Sequence, residues 1–176
     1  PYKTYTNKFM AYNNAKRVMK LTKCDAIKLE GGIKIVNIIK YLVKKGIPVM
    51  GHVGLMPQTS TNFKVKGKNF VQKKQILKDA LAISNSGVFA IIIECVVENL
   101  ARKITKSVSI PTIGIGASRY CDGQILVTED MLGLSDFSPK FVKQYTNLNK
   151  IMEKSIKNYV KDVKMRRFPS FKNVYR

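Results

Sequence analysis

The chain has 176 residues, of which 32 are lysine or arginine and 11 are aspartate or glutamate, giving a formal net charge of +21. Its length and its 45% hydrophobic content predict one globular domain over residues 1–176. No apolar run of about 18 residues occurs, so no membrane-spanning helix is predicted. The three cysteines are widely spaced and form no C-x-x-C motif, which indicates reduced thiols in a cytoplasmic protein.

The positive charge makes nucleic acid a partner to consider. However, most of the basic residues are lysines, and they are spread along the chain rather than gathered in one stripe with interleaved aromatic residues. We therefore do not expect nucleic-acid binding to be the main function.

Apolar residues follow strand-like and helix-like patterns in turn along the chain. Helices are predicted over 11–21, around 35–43 with Gly46 at its end, around 76–81 with a stop near Gly87, and around 100–104. Strands are predicted over 26–30, 47–51, 88–93, 111–116 and 124–127. This alternation at nearly constant spacing is typical of a parallel α/β sheet of about five strands.

A long amphipathic helix is predicted near the end of the chain. Ser138 and Pro139 form a suitable N-cap and first-turn pair. The apolar stripe that follows consists of Phe141, Tyr145, Leu148, Met152, Ile156 and Tyr159. The opposite face is rich in lysine, which favours a solvated surface.

Ionisable residues are predicted at the carboxyl ends of the strands. Lys28 and Glu30 close the first strand and share one face of it, His52 follows the second, and Glu94 closes the third. The fourth strand ends in the glycine-rich segment GIGAS. In parallel α/β folds the ligand site lies at this edge of the sheet, so the set indicates a binding or catalytic site.

Each of these residues also has a structural interpretation. Lys28 and Glu30 could form a buried ion pair, although such pairs seldom stabilise a fold. His52 could be a hydrogen-bonded core residue. Glu94 follows five apolar residues, so partial desolvation should raise its pKa toward the range of a general base. In the structural interpretation, a neighbouring Lys or Arg neutralises the carboxylate instead.

Two other types of binding site are excluded because their sequence motifs are incomplete in this chain. GIGASR has Arg119 at the third glycine position of a dinucleotide fingerprint, and the segment around Gly67 lacks the remaining residues of a P-loop. Histidine and cysteine are too few for zinc, so a metal would need oxygen ligands. Glu30 is the candidate ligand and Mg²⁺ the candidate ion.

Five segments resemble, in order and spacing, the ketopantoate hydroxymethyltransferases. They are IKLEGG, GIPVMGHVGLMPQT, IIIECV, IPTIGIGAS and CDGQILVTEDMLGL. The resemblance implies a (β/α)8 (TIM) barrel. It also implies transfer of a hydroxymethyl group from 5,10-methylenetetrahydrofolate to 3-methyl-2-oxobutanoate, with Mg²⁺, in pantothenate biosynthesis.

The resemblance also assigns roles to the strand-end residues. It implies that Glu94 is the general base, that Lys28 and His52 bind the keto acid, and that Glu30 helps to hold Mg²⁺. It further implies a homo-oligomer, a decamer in bacterial members of the family.

A full barrel needs about 250 residues, and the amino terminus has no initiator methionine. We therefore expect an incomplete barrel, about strands 4–8 with a carboxyl-terminal amphipathic helix. The two metal-binding aspartates of the family would precede this stretch. Two other interpretations stay open: an inactive barrel remnant that acts as a basic binding or interaction module, and another magnesium-dependent barrel enzyme that forms enolates.

Overall fold

The structure is a computed structural model that describes residues 2–61, 63–135 and 138–175. It has two compact units, the first ending at Ile125 and the second beginning at Leu126. The strands are β1 (Ile27–Lys28), β2 (Val49–Gly54), β3 (Ala90–Glu94), β4 (Thr112–Ile115) and β5 (Gly123–Gln124). The α-helices are α1 (Lys8–Thr22), α2 (Val36–Lys44), α3 (Phe70–Ser84), α4 (Glu98–Ser107), α5 (Thr128–Leu132) and α6 (Leu148–Lys164).

The first unit is built on a five-stranded sheet in which all neighbouring strands are parallel. Its spatial order, β1-β2-β3-β4-β5, is the order of the strands in the chain. A doubly wound sheet reverses its strand order at a switch point, whereas a (β/α)8 barrel adds each strand beside the preceding one. The predicted fold class, an α/β incomplete barrel, is confirmed.

The hydrophobic core lies between one face of this sheet and the helices. Ile91 and Ile93 of β3 are fully buried there, together with Ile39 of α2, Ile83 of α3 and Ile104 of α4. Burying an isoleucine side chain contributes about 1.5–3 kcal/mol. The apolar run of β3 is therefore the centre of the packing, as expected for a parallel strand covered on both faces.

Each of the five strands differs from its predicted bounds by one or more residues, and two of these differences affect predicted site residues. The second strand was expected over 47–51, with His52 beyond its end, but β2 runs to Gly54 and includes His52. It extends this far because β2 pairs with β3 in register from Met50 to Gly54. The first strand was expected over 26–30, yet β1 contains only Ile27 and Lys28.

The predicted start of the last helix was wrong. The helix α6 begins at Leu148 rather than near Ser138, because the Asn147 side chain caps it by accepting a hydrogen bond from the Lys150 amide at 3.0 Å. Pro139 lies instead in a turn, where its carbonyl accepts from the Val142 amide. Helix α6 is amphipathic as predicted, and none of its residues is buried.

In the part of the chain that the structure describes, no helix is both long enough and apolar enough to span a bilayer.

Gly54 allows β2 to approach β3 closely at the edge where both strands end. Its φ is +98°, and an added Cβ would lie 2.3 Å from the Glu94 carbonyl oxygen. Gly46, after α2, has a similar φ of +76° but no atom within 4 Å of an added Cβ. Substitutions at the two glycines therefore distinguish the effect of backbone strain, present at both, from that of steric overlap, present only at Gly54.

We expect Gly46→Ala to lower the free energy of unfolding by about 1 kcal/mol, because of strain at positive φ alone. Gly54→Ala should cost about 1–3 kcal/mol more, since strand separation must also change. Urea unfolding midpoints measure both effects. Equal losses in the two variants would contradict the close approach.

Candidate active site

The strand register brings three of the four predicted site residues to one face of the sheet, and the fourth, Glu30, follows β1 at the same edge. Lys28 pairs with Met50, His52 lies two residues after Met50, and Gly54 pairs with Glu94. Partners in a parallel sheet point the same way, and alternate residues share a face. Lys28, His52 and Glu94 therefore lie on the face opposite the helix-packed core, and Glu30 follows β1 at the same edge.

Backbone hydrogen bonds to the neighbouring segments on both sides of β3 fix the position of Glu94. Its carbonyl oxygen accepts from the Leu55 amide at 2.8 Å, and the next amide, that of Cys95, donates to the Ile115 carbonyl at 2.9 Å. The Glu94 side chain keeps 17% of its surface exposed. Strand pairing thus holds the carboxylate in place while leaving it accessible.

The pKa of Glu94 is raised, as predicted. Burial is the largest cause, the positive charge of Lys28 opposes it, and the negative charge of Glu30 raises the pKa further. A carboxylate with a raised pKa is a stronger base than a solvated one. Partial desolvation therefore suits Glu94 to removing a proton.

His52 is fully buried beside Glu94. Its Nε2 lies 2.5 Å from the Leu55 carbonyl oxygen, to which an Nε2–H donates. Burial lowers the pKa of the imidazole; the hydrogen bond to Leu55 opposes this shift, whereas the Lys28 charge adds to it. The ring is therefore neutral near pH 7, and its Nδ1 is an acceptor with no hydrogen-bond partner in the described residues.

His52 and Glu94 do not form an ion pair. Their closest atoms, Nε2 and Oε2, are 3.6 Å apart, which is beyond hydrogen-bond distance. The neutral imidazole also carries no charge to attract the carboxylate. The pair is a polar contact that leaves the Glu94 carboxylate free to react.

Glu30 is held by two residues that the sequence analysis did not identify. Its Oε2 accepts from the Gln58 amide at 3.1 Å, and its carbonyl oxygen accepts from the Tyr5 hydroxyl at 3.1 Å. Burial raises the pKa of Tyr5, so this hydroxyl keeps its proton and can donate. Gln58 lies in the resembling segment GIPVMGHVGLMPQT, whereas no local pattern indicated Tyr5.

Lys28 is exposed and forms no salt bridge with Glu30 or Glu94 among the described residues. The interpretation of Lys28 and Glu30 as a buried ion pair is therefore wrong. The Lys28 charge nevertheless acts on both His52 and Glu94, because it influences the pKa of each. The Lys28 ammonium group is therefore near the Glu94 carboxylate and is available to bind a ligand.

The segment after Glu94 is strained and clamped. Cys95 has a φ of +49°, which is uncommon for a residue with a side chain. Its carbonyl accepts from the Lys66 amide at 2.7 Å, and the Lys66 carbonyl accepts from the Val97 amide at 3.1 Å. The loop between β2 and α3 thus fixes the backbone next to Glu94, a contact without a local sequence signal.

The glycine-rich segment after β4 contributes a buried hydroxyl rather than a phosphate loop. Ser118 is 1% exposed and donates to a carboxylate oxygen of Glu98 at 3.0 Å. Its Oγ also accepts from the Tyr120 amide at 3.1 Å. The segment therefore ties the start of α4 to the loop that follows β4.

A family model of ketopantoate hydroxymethyltransferase matches residues 1–171. The chain belongs to the ketopantoate hydroxymethyltransferase family. The α/β architecture agrees with this assignment.

Several curated relatives carry the name 3-methyl-2-oxobutanoate hydroxymethyltransferase. The relative from Pelagibacter ubique is 51% identical over 175 residues, which is 99% of this chain and 68% of that protein. The relative from Phenylobacterium zucineum is 51% identical over 94% of this chain and 61% of its own length. The relative from Bartonella quintana is 53% identical over 94% and 62%, respectively. The chain thus spans between 61% and 68% of these three proteins.

Among solved structures, a crystal structure of dihydrodipicolinate synthase from Oceanobacillus iheyensis is similar with a TM-score of 0.41 and 12% identity. The match covers 65% of this chain and 40% of that chain.

The state of His52 is directly measurable because it is the only histidine. We expect ring ¹⁵N chemical shifts to report a proton on Nε2 and a neutral ring at pH 6.5, the ordinary pKa of histidine. Below that pH the unfolded chain gains a proton that folded His52 resists, so stability should fall as the pH falls through 6.5. The urea-unfolded chain serves as the control. A folded-state midpoint at or above 6.5 would contradict the buried neutral ring.

Proposed function

We propose that this chain forms the carboxyl-terminal part of a 3-methyl-2-oxobutanoate hydroxymethyltransferase. The reaction transfers a hydroxymethyl group from 5,10-methylenetetrahydrofolate to the keto acid and yields 2-dehydropantoate. Family membership supports this proposal, and so does one observation above all: an accessible Glu94 carboxylate with a raised pKa at the carboxyl edge of the sheet.

Glu94 is the proposed general base. It removes the proton on carbon 3 of 3-methyl-2-oxobutanoate, next to the carbonyl, and the electron pair of the broken C–H bond enters the enolate. The proton stays on the carboxyl group, which its raised pKa favours. Fixing by the β3 pairing keeps the carboxylate oriented for this transfer.

Lys28 and His52 are the proposed keto-acid ligands. The exposed Lys28 ammonium can pair with the substrate carboxylate, since no protein carboxylate occupies it among the described residues. His52 is neutral and its Nε2–H is donated to Leu55, so its proposed role is to orient the substrate by packing beside it, without adding a charge that would lower the pKa of the base. The two residues thus position carbon 3 relative to Glu94.

Glu30 fits one position in a Mg²⁺ site. It is 7% exposed and has no salt-bridge partner in the described parts of the chain, so a bound cation would compensate its charge. The described residues contain no cluster of three or more candidate metal ligands, so the remaining ligands would be water, substrate oxygens or other residues. When bound, Mg²⁺ supplies Lewis-acid stabilisation of enolate charge.

The second proposed step forms the new carbon–carbon bond. Carbon 3 of the enolate forms a bond to the methylene carbon of the folate, both carbon–nitrogen bonds of the methylene bridge break in turn, and water supplies the hydroxyl group. The proton taken from carbon 3 and the remaining proton of the water go to the two nitrogen atoms. The products are 2-dehydropantoate and tetrahydrofolate. We further propose, from the family assignment, a homo-oligomeric protein of the cytoplasm in which residues 1–176 belong to one barrel domain.

The competing function is a basic binding module without catalysis. The net charge of +21 and the exposed apolar stripe of α6 favour it. Enolisation separates the two functions, because only the enzyme accelerates exchange of the carbon-3 proton, and this partial reaction needs no folate.

We expect the protein with Mg²⁺ to catalyse deuterium exchange at carbon 3 of 3-methyl-2-oxobutanoate in D₂O, followed by proton NMR. Glu94→Gln should reduce this rate by about 10²–10⁴-fold, because the amide cannot accept the proton. Glu129→Gln, at an exposed position of α5, is the matched control. Exchange retained by Glu94→Gln would refute its assignment as base, and no exchange by the unaltered protein would favour the binding module.

The pH dependence of the same exchange tests the proposed electrostatics. Lys28 lowers the pKa of Glu94, so Lys28→Met should raise it further. Because only the ionised carboxylate is a base, the acid limb of the pH–rate profile should move to higher pH. Lys40→Met, at an exposed site on α2, should leave the limb in place. A limb that Lys28→Met does not move, or moves to lower pH, would show that Glu94 does not control the profile.

A further inference from the structure

A groove lies between α3 and α4 on the outside of the first unit, away from the candidate active site. Its cavity is about 460 Å³, within the range of small-molecule sites. Helices α3 and α4 pack on the face of β3 that carries Ile91 and Ile93, whereas Glu94 points to the other face. The groove is therefore separate from the proposed keto-acid site.

The lining of the groove has an apolar part and a strongly positive part. The described residues that line it are Phe70, Lys73, Lys74, Leu77, Asn99, Leu100 and Lys103. Three of them are lysines and none is acidic. Leu77 and Leu100 supply an apolar floor, and the Phe70 ring is 78% exposed beside it.

The acidic side chains of these two helices do not neutralise the lysines. Helix α3 contains one acidic residue, Asp79, which accepts from the Ile33 amide at 2.8 Å and from Gln75 at 3.0 Å. Helix α4 also contains one, Glu98, whose carboxylate accepts from Ser118. Among the described residues, no salt bridge involves a groove lysine.

The direction of helix α3 adds to the positive potential. Phe70 is the first residue of α3, whose first turn has no acidic residue, so this helix begins at the groove with an uncompensated end. Asn99 is the second residue of α4, but Glu98 in the first turn of α4 offsets the charge of that helix end. The amino-terminal end of a helix carries a partial positive charge. Three lysines without a salt bridge among the described residues, and the start of α3, lie beside an apolar floor and have the properties of a site for an anion with an apolar body.

We propose that this groove binds a small amphiphilic anion, in which an aromatic or aliphatic body carries a single sulfonate, carboxylate or phosphate. The apolar body lies on Leu77, Leu100 and Phe70. The anionic group lies among Lys73, Lys74 and Lys103. This site goes beyond the hydroxymethyl transfer proposed above and does not depend on it.

The test uses 8-anilinonaphthalene-1-sulfonate, whose fluorescence reports binding, on the folded full chain. N-phenyl-1-naphthylamine has the same ring system without the sulfonate, and inorganic phosphate has the charge without the rings. We expect saturable binding of the sulfonate, weaker binding of the neutral amine, and no competition by phosphate at equal concentration.

Variants then locate the site. The double variant Lys73→Gln and Lys103→Gln should weaken sulfonate binding by about tenfold or more. The matched control, Lys78→Gln and Lys106→Gln, makes the same charge change on the same helices outside the groove and should alter binding by less than about twofold. Phe70→Ser should weaken both aromatic probes with little effect on the fold, since the ring is mostly exposed.

Three results would overturn the proposal. Equal weakening by both lysine pairs would mean that the sulfonate follows the net charge of the chain. Binding that neither Phe70→Ser nor the groove pair affects would place the probe elsewhere. Concentration-dependent self-association that Phe70→Ser abolishes and the sulfonate inhibits would assign the groove to a second copy of the chain instead.

Discussion

Parallel pairing between β2 and β3 is the constraint on which the candidate site depends. Five residue pairs in register, from Met50 with Ala90 to Gly54 with Glu94, fix how far each strand extends. This register puts His52 and Glu94 on the same face and brings Leu55 to both of them, as a donor to the Glu94 carbonyl and an acceptor from the imidazole. The electrostatics of the site thus follow from backbone hydrogen bonds.

The two faces of β3 have different roles, one in packing and one in the candidate active site. One face buries Ile91 and Ile93 against the helices and supplies hydrophobic stabilisation. The other ends in a carboxylate whose charge is partly desolvated, which costs stability and gains basicity. A strand that is already held by its neighbours on both sides can tolerate such a residue at its end.

The sequence was informative where one short pattern decides the structure. The apolar run before Glu94 predicted a buried strand, and Gly46 ended α2 as expected. The sequence was less informative where residues far apart in the chain determine the local structure. The end of β2 depends on β3, and the Glu30 contacts with Tyr5 and Gln58 cross 25 and 28 residues. The start of α6 was predicted at Ser138, whereas Asn147 caps the helix.

The short outer strands have a further consequence for behaviour in solution. In the described residues, β1 and β5 border the sheet and contain only two residues each. A long free strand edge offers a row of amides and carbonyls to another chain, and such edges promote aggregation. Two-residue borders offer few of these groups, so the described edges of the sheet expose little backbone for pairing, even though the central strands are strongly apolar.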